Sequence, residues 1–93
     1  ALNGRNRTLE EFTREGKQRW SKEYINETPH GKWVFYYEDG KTIKEKQVYE
    51  NGKLHGDHVE YHANGKVAVE NTYRFGLLAG PFKMFYENGT LQS

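Results

Sequence analysis

Two of the four histidines in this sequence, His58 and His62, are separated by Val59, Glu60 and Tyr61. Histidine is the commonest metal ligand and a frequent proton donor or acceptor in catalysis. The repeat pattern of the chain places this segment on a strand, where residues four apart are separated by about 13 Å. Both imidazoles therefore cannot bind one ion at about 2.1 Å, and the spacing differs from the H-E-x-x-H zinc signature. We expect no metal site and no cofactor.

Other reactive residues also lack partners for catalysis. The adjacent Glu10 and Glu11 have no recognisable acid–base counterpart, and no nucleophile stands in a nucleophile–base arrangement. The Gly-Lys pairs, such as Gly40-Lys41, lack both the Walker spacing and the strand–glycine–helix context of phosphate-binding loops. We therefore expect no catalytic residue, and a protein that is not an enzyme.

Composition limits the classes of protein and partner. Only 34% of the 93 residues are hydrophobic, which predicts a shallow core, but 15% are aromatic, which favours a folded chain over a disordered one. The net charge of +1 gives no strong field, so we expect no nucleic-acid partner. There is no cysteine, which excludes disulfides and thiolate metal sites, and no apolar run is long enough to cross a membrane.

An internal repeat organises the sequence. Its glycines recur with a period of 24 or 25 residues, first at Gly31, Gly56 and Gly80 and then at Gly40, Gly65 and Gly89. One extra residue lies between Gly40 and Tyr49, compared with the stretch from Gly65 to Tyr73. We interpret this insertion as a β-bulge. A degraded half-copy precedes the full copies, so the predicted organisation is an N-terminal arm, residues 1–8, and one repeat domain, residues 9–93.

Each repeat has the pattern of a β-hairpin. Asp39-Gly40, Asn64-Gly65 and Asn88-Gly89 predict tight turns, because Asn or Asp before Gly tolerates positive φ. The predicted strands cover about 9–13, 17–24, 32–37, 41–49, 57–62, 66–73 and 81–86, from runs rich in aromatic and β-branched residues. The predicted fold is therefore all-β, an elongated single-layer antiparallel meander of tandem hairpins. His30 and His55, which precede repeat glycines, are predicted turn or sheet residues.

Alternation along the strands separates two sets of side chains. One position is aromatic in every copy and predicts packing between repeats: Phe12, Tyr36, Tyr61 and Phe85. The other positions vary, with aromatic residues and Met flanking a polar centre that includes Glu60. We predict that a partner binds to this variable set, namely Trp33, Phe35, Tyr37, His58, His62, Phe82, Met84 and Tyr86. The alternative is that these side chains only cover the second face of the sheet.

A resemblance to a known family supports these expectations. The pattern Y-x-N-G-K-x-x-G, then an aromatic strand, N-G-K and a strand bearing Glu45 or Glu70, resembles the MORN-repeat variant of bacterial YwqK-like antitoxins. The resemblance covers about residues 24–91 and extends weakly to residue 9. It departs from the pattern at Glu15, Phe75 and Leu77. It implies a single-layer sheet, no catalytic residue, and another protein as partner, with a toxin as the specific case.

Two further hypotheses remain open. Lys17, Lys41 and Lys66 follow hairpin glycines and would face anionic lipid along one edge of the sheet, giving weak binding in a scaffold or membrane-associated assembly. Half-repeats at both ends of the sequence would also leave strand edges through which a homo-oligomer forms. We expect a cytoplasmic protein, while a secreted or periplasmic location stays open.

Overall fold

The computed structural model describes residues 6–92, which form one antiparallel sheet. Its strands are β1 (Asn6–Phe12), β2 (Gln18–Ile25), β3 (Thr28–Tyr36), β4 (Ile43–Glu50), β5 (Lys53–Leu54), β6 (Gly56–Tyr61), β7 (Val67–Arg74) and β8 (Leu77–Met84). The order across the sheet is β1-β2-β3-β4-β6-β7-β8, and the short β5 pairs with β4. The predicted all-β, single-layer meander is therefore confirmed. The sheet measures 47 × 39 × 12 Å.

No helix that is long and apolar enough to cross a membrane occurs within residues 6–92.

The turns after β1, β3, β6 and β8 share one hydrogen-bonding pattern at one edge of the sheet. In each of these turns the glycine donates its N–H to the carbonyl three residues earlier, as Gly65 does to His62 at 2.9 Å. Only the glycine has positive φ, 89° at Gly65, so Asn64 does not use the left-handed conformation that the sequence predicted. Instead, Asn64 Oδ1 accepts the N–H of Lys66 at 2.9 Å. The asparagine therefore stabilises the turn through its side chain.

The extra residue of the first full repeat lies in the turn, so its interpretation as a β-bulge is wrong. Tyr37 N–H bonds to Thr42 O, whereas the equivalent His62 N–H bonds to Lys66 O, one residue closer. Bulge-like register shifts do occur, but at equivalent places in all three hairpins, for example between Glu60 and Tyr61. The bulge is thus common to the repeats, and Thr42 lengthens the turn.

Two-residue return turns lie at the opposite edge of the sheet. Both central residues have positive φ in each of them, which is the type I′ geometry of tight hairpins: Asn26-Glu27, Asn51-Gly52 and Phe75-Gly76. His30 and His55, which were predicted only as turn or sheet residues, each accept a hydrogen bond from a return turn. His30 Nδ1 accepts the N–H of Asn51 at 3.4 Å, and His55 Nδ1 accepts that of Phe75 at 3.2 Å.

Some strand limits differ from the prediction. β3 and β8 begin several residues early and contain Pro29 and Pro81. A register shift opposite Pro81 interrupts the ladder, so the missing N–H costs little there, whereas Pro29 pairs with Tyr24 directly beside such a shift. β1 begins at Asn6, and Arg7 and Thr8 pair with β2, so these residues of the predicted arm are part of the sheet. Residues 1–5 of that arm lie outside the described residues.

A single layer leaves little room for a core. Within residues 6–92 no hydrophobic side chain is fully buried, and the buried residues are His58 and Asn71. Tyr36 and Tyr61, two of the invariant aromatic residues, are only half-buried. Stability therefore comes from contacts between neighbouring strands and not from a second layer.

Candidate functional site

The variable residues of the repeats occupy one face of the sheet, which we call the variable face. The register pairs Phe35 with Glu45, Glu45 with Glu60, Glu60 with Val69 and Val69 with Met84. Paired residues of antiparallel strands point to the same side, so these five side chains form a row across the sheet. Trp33, His58 and Phe82 lie two residues earlier on the same strands and extend the face.

The part of the variable face over β2, β3 and β4 is packed. Trp33 lies between the repeat tyrosines Tyr24 and Tyr49, with ring centroids 5.3 and 4.6 Å apart. Its indole Nε1 donates a hydrogen bond to Glu23 O at 2.9 Å. Trp33 thus supports the sheet whether or not it also touches a partner.

A basic side chain lies across the aromatic rings beside Trp33. The ammonium nitrogen of Lys22 is 4.2 Å from the ring centroid of Trp20, 4.9 Å from that of Trp33 and 5.6 Å from that of Phe35. A shallow groove of about 770 Å³ adjoins this cluster, and Trp20, Phe35 and Tyr37 help to line it. Trp20 and Lys22 were not predicted from the sequence, because the degraded first copy does not indicate which face of the sheet their positions occupy.

Tyr37 and His62, which were predicted to contact a partner, bond to the next repeat. The hydroxyl of Tyr37 donates to Tyr61 O at 2.6 Å, and His62 Nε2 lies 2.8 Å from Phe85 O. The two residues are equivalent in successive repeats, so the bond recurs and links neighbouring hairpins. Tyr86 holds the same position in the third copy and is 52% exposed.

A polar cluster lies at the centre of the variable face around His58, which is only 8% exposed. His58 Nε2 is 2.7 Å from Glu45 Oε2 and 3.7 Å from Glu60 Oε2. Its Nδ1 is 3.0 Å from Asn71 Oδ1. Gln47 Nε2 donates to Glu45 Oε2 at 2.8 Å. His58 and His62 share no contact, but His58 gains carboxylate neighbours that the histidine spacing alone did not reveal.

Tyr49 connects the packed part of the face with this cluster. Its hydroxyl donates to Gln47 Oε1 at 3.0 Å. Burial raises the pKa of Tyr49, with smaller contributions from the negative charge of Glu45 and from Tyr24. The phenol therefore stays protonated at neutral pH and keeps donating to Gln47.

The far end of the variable face is exposed. Phe82 and Met84 on β8 are 48% and 36% exposed, and Tyr86 follows just beyond the strand. The eight predicted binding residues thus fall into three groups: Trp33 and Phe35 in the packed part, Tyr37, His58 and His62 in polar contacts within the sheet, and Phe82, Met84 and Tyr86 at the exposed end.

Comparison with known proteins identifies the repeats. The family model described as the MORN repeat variant matches residues 29–51, 54–74 and 78–93. Searches of curated proteins and of solved structures give no significant match. Such repeats generally form modules that interact with proteins or membranes. The three matches cover more than half of the sequence and coincide with the three full hairpin repeats, so the chain belongs to the family of MORN repeat variants.

Proposed function

We propose that the protein is a non-catalytic interaction module that binds another protein through the variable face. One observation carries the proposal: Phe82, Met84 and Tyr86 lie exposed at one end of a sheet face that no second layer covers within the described residues. Aromatic residues and Met are enriched where proteins bind one another, and a cluster of them on a surface usually marks such a site. Catalysis has no part in this role.

The dimensions of the sheet suit a protein partner. A standard interface buries roughly 800 Å² on each partner. A face of 47 × 39 Å is large enough for such a contact and is held by one continuous antiparallel sheet. The aromatic rings would supply apolar anchors, while Glu45, Glu60 and Lys22 would supply charged groups that select the partner.

We further propose that this partner is a toxin which the protein neutralises in the cytoplasm. The support is the resemblance of the Y-x-N-G-K repeats to YwqK-like antitoxins. Neutralisation by binding would need no chemistry from the module itself, only an interface that covers the toxin. Phe82 and Met84 would contribute apolar anchors to that interface.

Charge favours a protein partner over anionic lipid. Lys17, Lys41 and Lys66 are exposed in the turns at one edge, as the lipid hypothesis requires. The same turns contain acidic residues, including Glu15 and Asp39. Hydrogen bonds from Thr42 and from the Lys41 and Thr42 amides lower the pKa of Asp39 to about 2, so its negative charge persists at neutral pH. The edge thus presents mixed charge and not the basic cluster that anionic membranes attract.

The test is affinity capture from the source cells with three forms of the protein. Phe82→Ala/Met84→Ala removes two exposed anchors and leaves the packed residues intact. Lys83→Ala is the matched control, since Lys83 pairs with Glu70 and lies on the opposite face. We expect one protein to be captured by the wild type and by Lys83→Ala, and to be lost with Phe82→Ala/Met84→Ala. Equal capture by all three forms would contradict an interface at the exposed end.

Growth assays then test the toxin proposal. The captured protein, expressed alone, should arrest growth, and coexpression of the wild type but not of Phe82→Ala/Met84→Ala should restore it. A captured protein without toxicity would leave a binding role but remove neutralisation. If nothing is captured, sedimentation with vesicles containing anionic lipid decides whether the edge lysines bind membranes. Salt-sensitive sedimentation would replace the proposal with the lipid hypothesis.

A further inference from the structure

Two residues of the polar cluster on the variable face occupy positions that are apolar in the other full repeats. His58 holds the position of Trp33 and Phe82, and Glu60 holds that of Phe35 and Met84. Sheet packing therefore does not require ionisable groups at these positions. His58 and Glu60 belong to the middle repeat and Glu45 to the repeat before it. Among residues 6–92, His58 is the buried ionisable side chain.

Two negative charges face one another in this cluster. The register places Glu45 directly opposite Glu60, and like charges in cross-strand pairs are destabilising. Among residues 6–92, the basic group that forms ion pairs with either glutamate is His58. The nearby Lys46 is directed to the other face, where its ammonium group lies 5.7 Å from the Tyr61 ring centroid. One imidazolium compensates at most one of the two carboxylates.

We propose that Glu45, His58 and Glu60 bind a divalent transition-metal ion of the zinc class. One ligand atom from each residue lies within 4.8 Å of the other two. Tetrahedral ligands at about 2.1 Å from zinc are roughly 3.4 Å apart, so small side-chain rotations of the two glutamates suffice. One imidazole and two carboxylates match the ligands of zinc, and the ion's two positive charges neutralise both glutamates.

The surrounding side chains are arranged as metal sites require. Ligating histidines usually donate the second ring N–H to a fixed acceptor, which sets the ring orientation. Asn71 Oδ1, on the buried Asn71, provides that acceptor for His58 Nδ1. Gln47 holds the carboxylate of Glu45 and is itself held by Tyr49. Glu60 is partly exposed, which leaves room for water as a fourth ligand. The ion would tie β4 to β6, at the point where their pairing is short.

Zinc titration of the full chain tests this site, with imidazole resonances followed by NMR and the melting temperature followed in parallel. We expect one zinc ion to bind, the melting temperature to rise, and the His58 signals to shift while those of His30, His55 and His62 stay in place. Glu60→Gln removes one ligand and relieves the like-charge pair, so it should fold. It should bind zinc at least ~10-fold more weakly, since loss even of residues that only orient ligands costs 10–100-fold.

Glu70→Gln is the control, because it removes a glutamate whose register pairing with Val59 and Lys83 places it on the opposite face. It should bind zinc as the wild type does. Absence of zinc binding by the wild type, shifts at another histidine, or equal affinity of Glu60→Gln and wild type would each overturn the metal site. The cluster would then be a His58–Glu45 ion pair only. The outcome does not depend on whether the variable face binds a protein.

Discussion

At the scale of single residues, the environment of a side chain differs between copies of the same repeat position. Trp33 and Phe82 are equivalent in the repeat, yet Trp33 lies between two tyrosine rings and Phe82 is about half exposed. An aromatic residue can therefore serve as packing in one copy and be free for binding in another. Whether a side chain of the variable face packs within the sheet or is available to a partner therefore differs from one residue to the next.

Truncation of these two residues should separate the two roles. We expect Trp33→Ala to lower the free energy of unfolding by about 2–3 kcal/mol, somewhat less than for a fully buried aromatic, because it loses both ring contacts and the bond to Glu23 O. Phe82→Ala should cost about 0.5 kcal/mol or less, as surface substitutions usually do. Urea unfolding with an unchanged m-value measures both. Equal losses for the two variants would show that Phe82 is packed as well.

Asp39 should make stability depend on pH through its turn. Hydrogen bonds from the Thr42 side chain and from the amides of Lys41 and Thr42 lower its pKa from 3.8 to about 2. A carboxyl group with a lowered folded-state pKa stabilises the protein above its unfolded pKa, and this contribution is lost as the pH falls towards the folded value. Asp39→Asn keeps an acceptor oxygen but no longer ionises. We expect its melting temperature to be lower than that of the wild type above pH 4, and the gap to close near pH 2. A gap that stays constant from pH 6 to pH 2 would contradict this account.

At the scale of elements, the two edges of the sheet use different turns. The turns after β1, β3, β6 and β8 place positive φ only at glycine, whereas the return turns need it at two successive residues. In the first return turn the second of these residues is Glu27, with φ of 67°, where later repeats have Gly52 and Gly76. A non-glycine residue in this conformation costs roughly 1–2 kcal/mol.

Replacing Glu27 with glycine should therefore stabilise the protein. The backbone strain is removed, while the lost ion pair with Arg7 is exposed and worth little. Glycine is also more flexible in the unfolded chain, so we expect a net gain of about 0.5–1 kcal/mol. Chemical denaturation should show a higher midpoint for Glu27→Gly. Glu27→Ala is the control, since it loses the same ion pair but keeps the strain, and it should show no gain.

The elements were predictable from the sequence where glycine spacing and strand composition agree. Both the antiparallel meander and the positions of the hairpin turns follow from the repeated glycines and the aromatic-rich strands between them. Details set by backbone hydrogen bonds were not predictable. The bond from Tyr37 N–H to Thr42 O places the extra residue in a turn, and nothing in residue type distinguishes this from a bulge. The early start of β8 likewise depends on a register shift opposite Pro81.

At the scale of the whole molecule, the site depends on register between strands that are distant in sequence. Alternation within a strand was enough to place Trp33, Phe35, His58 and Met84 on one face. Alternation could not predict the contact between Glu45 and His58, because that contact requires the pairing of β4 with β6. The pairing follows from turn lengths on both edges and from the short β5. A single sequence therefore predicts which residues share a face better than which of them meet.

Exposed apolar residues are concentrated on β8, the last strand of the described sheet, and we propose that this side of the sheet mediates self-association. Within the described residues, β8 pairs with β7, and the segment after Gly89 covers only the end of β8, through the Phe85–Leu91 bridge and the bond from Gln92 N–H to Met84 O. Leu77 and Leu78 on β8 are 73% and 51% exposed. Unpaired backbone groups beside apolar side chains favour pairing with another chain. We expect two copies to join β8 to β8 in a symmetric antiparallel pair, which makes the interface self-complementary.

Light scattering coupled to gel filtration should then show a dimer whose population rises with concentration. Leu78→Lys should give monomers, because a charge on an edge strand opposes pairing. Leu9→Lys distinguishes the symmetric pair from a head-to-tail chain. Leu9 lies on β1, which is the first strand in the sheet order, whereas β8 is the last. A symmetric β8 contact leaves this variant dimeric, whereas a head-to-tail contact between β8 and β1 would be broken by either substitution. A wild type that stays monomeric over the whole concentration range would show that the exposed leucines do not mediate self-association.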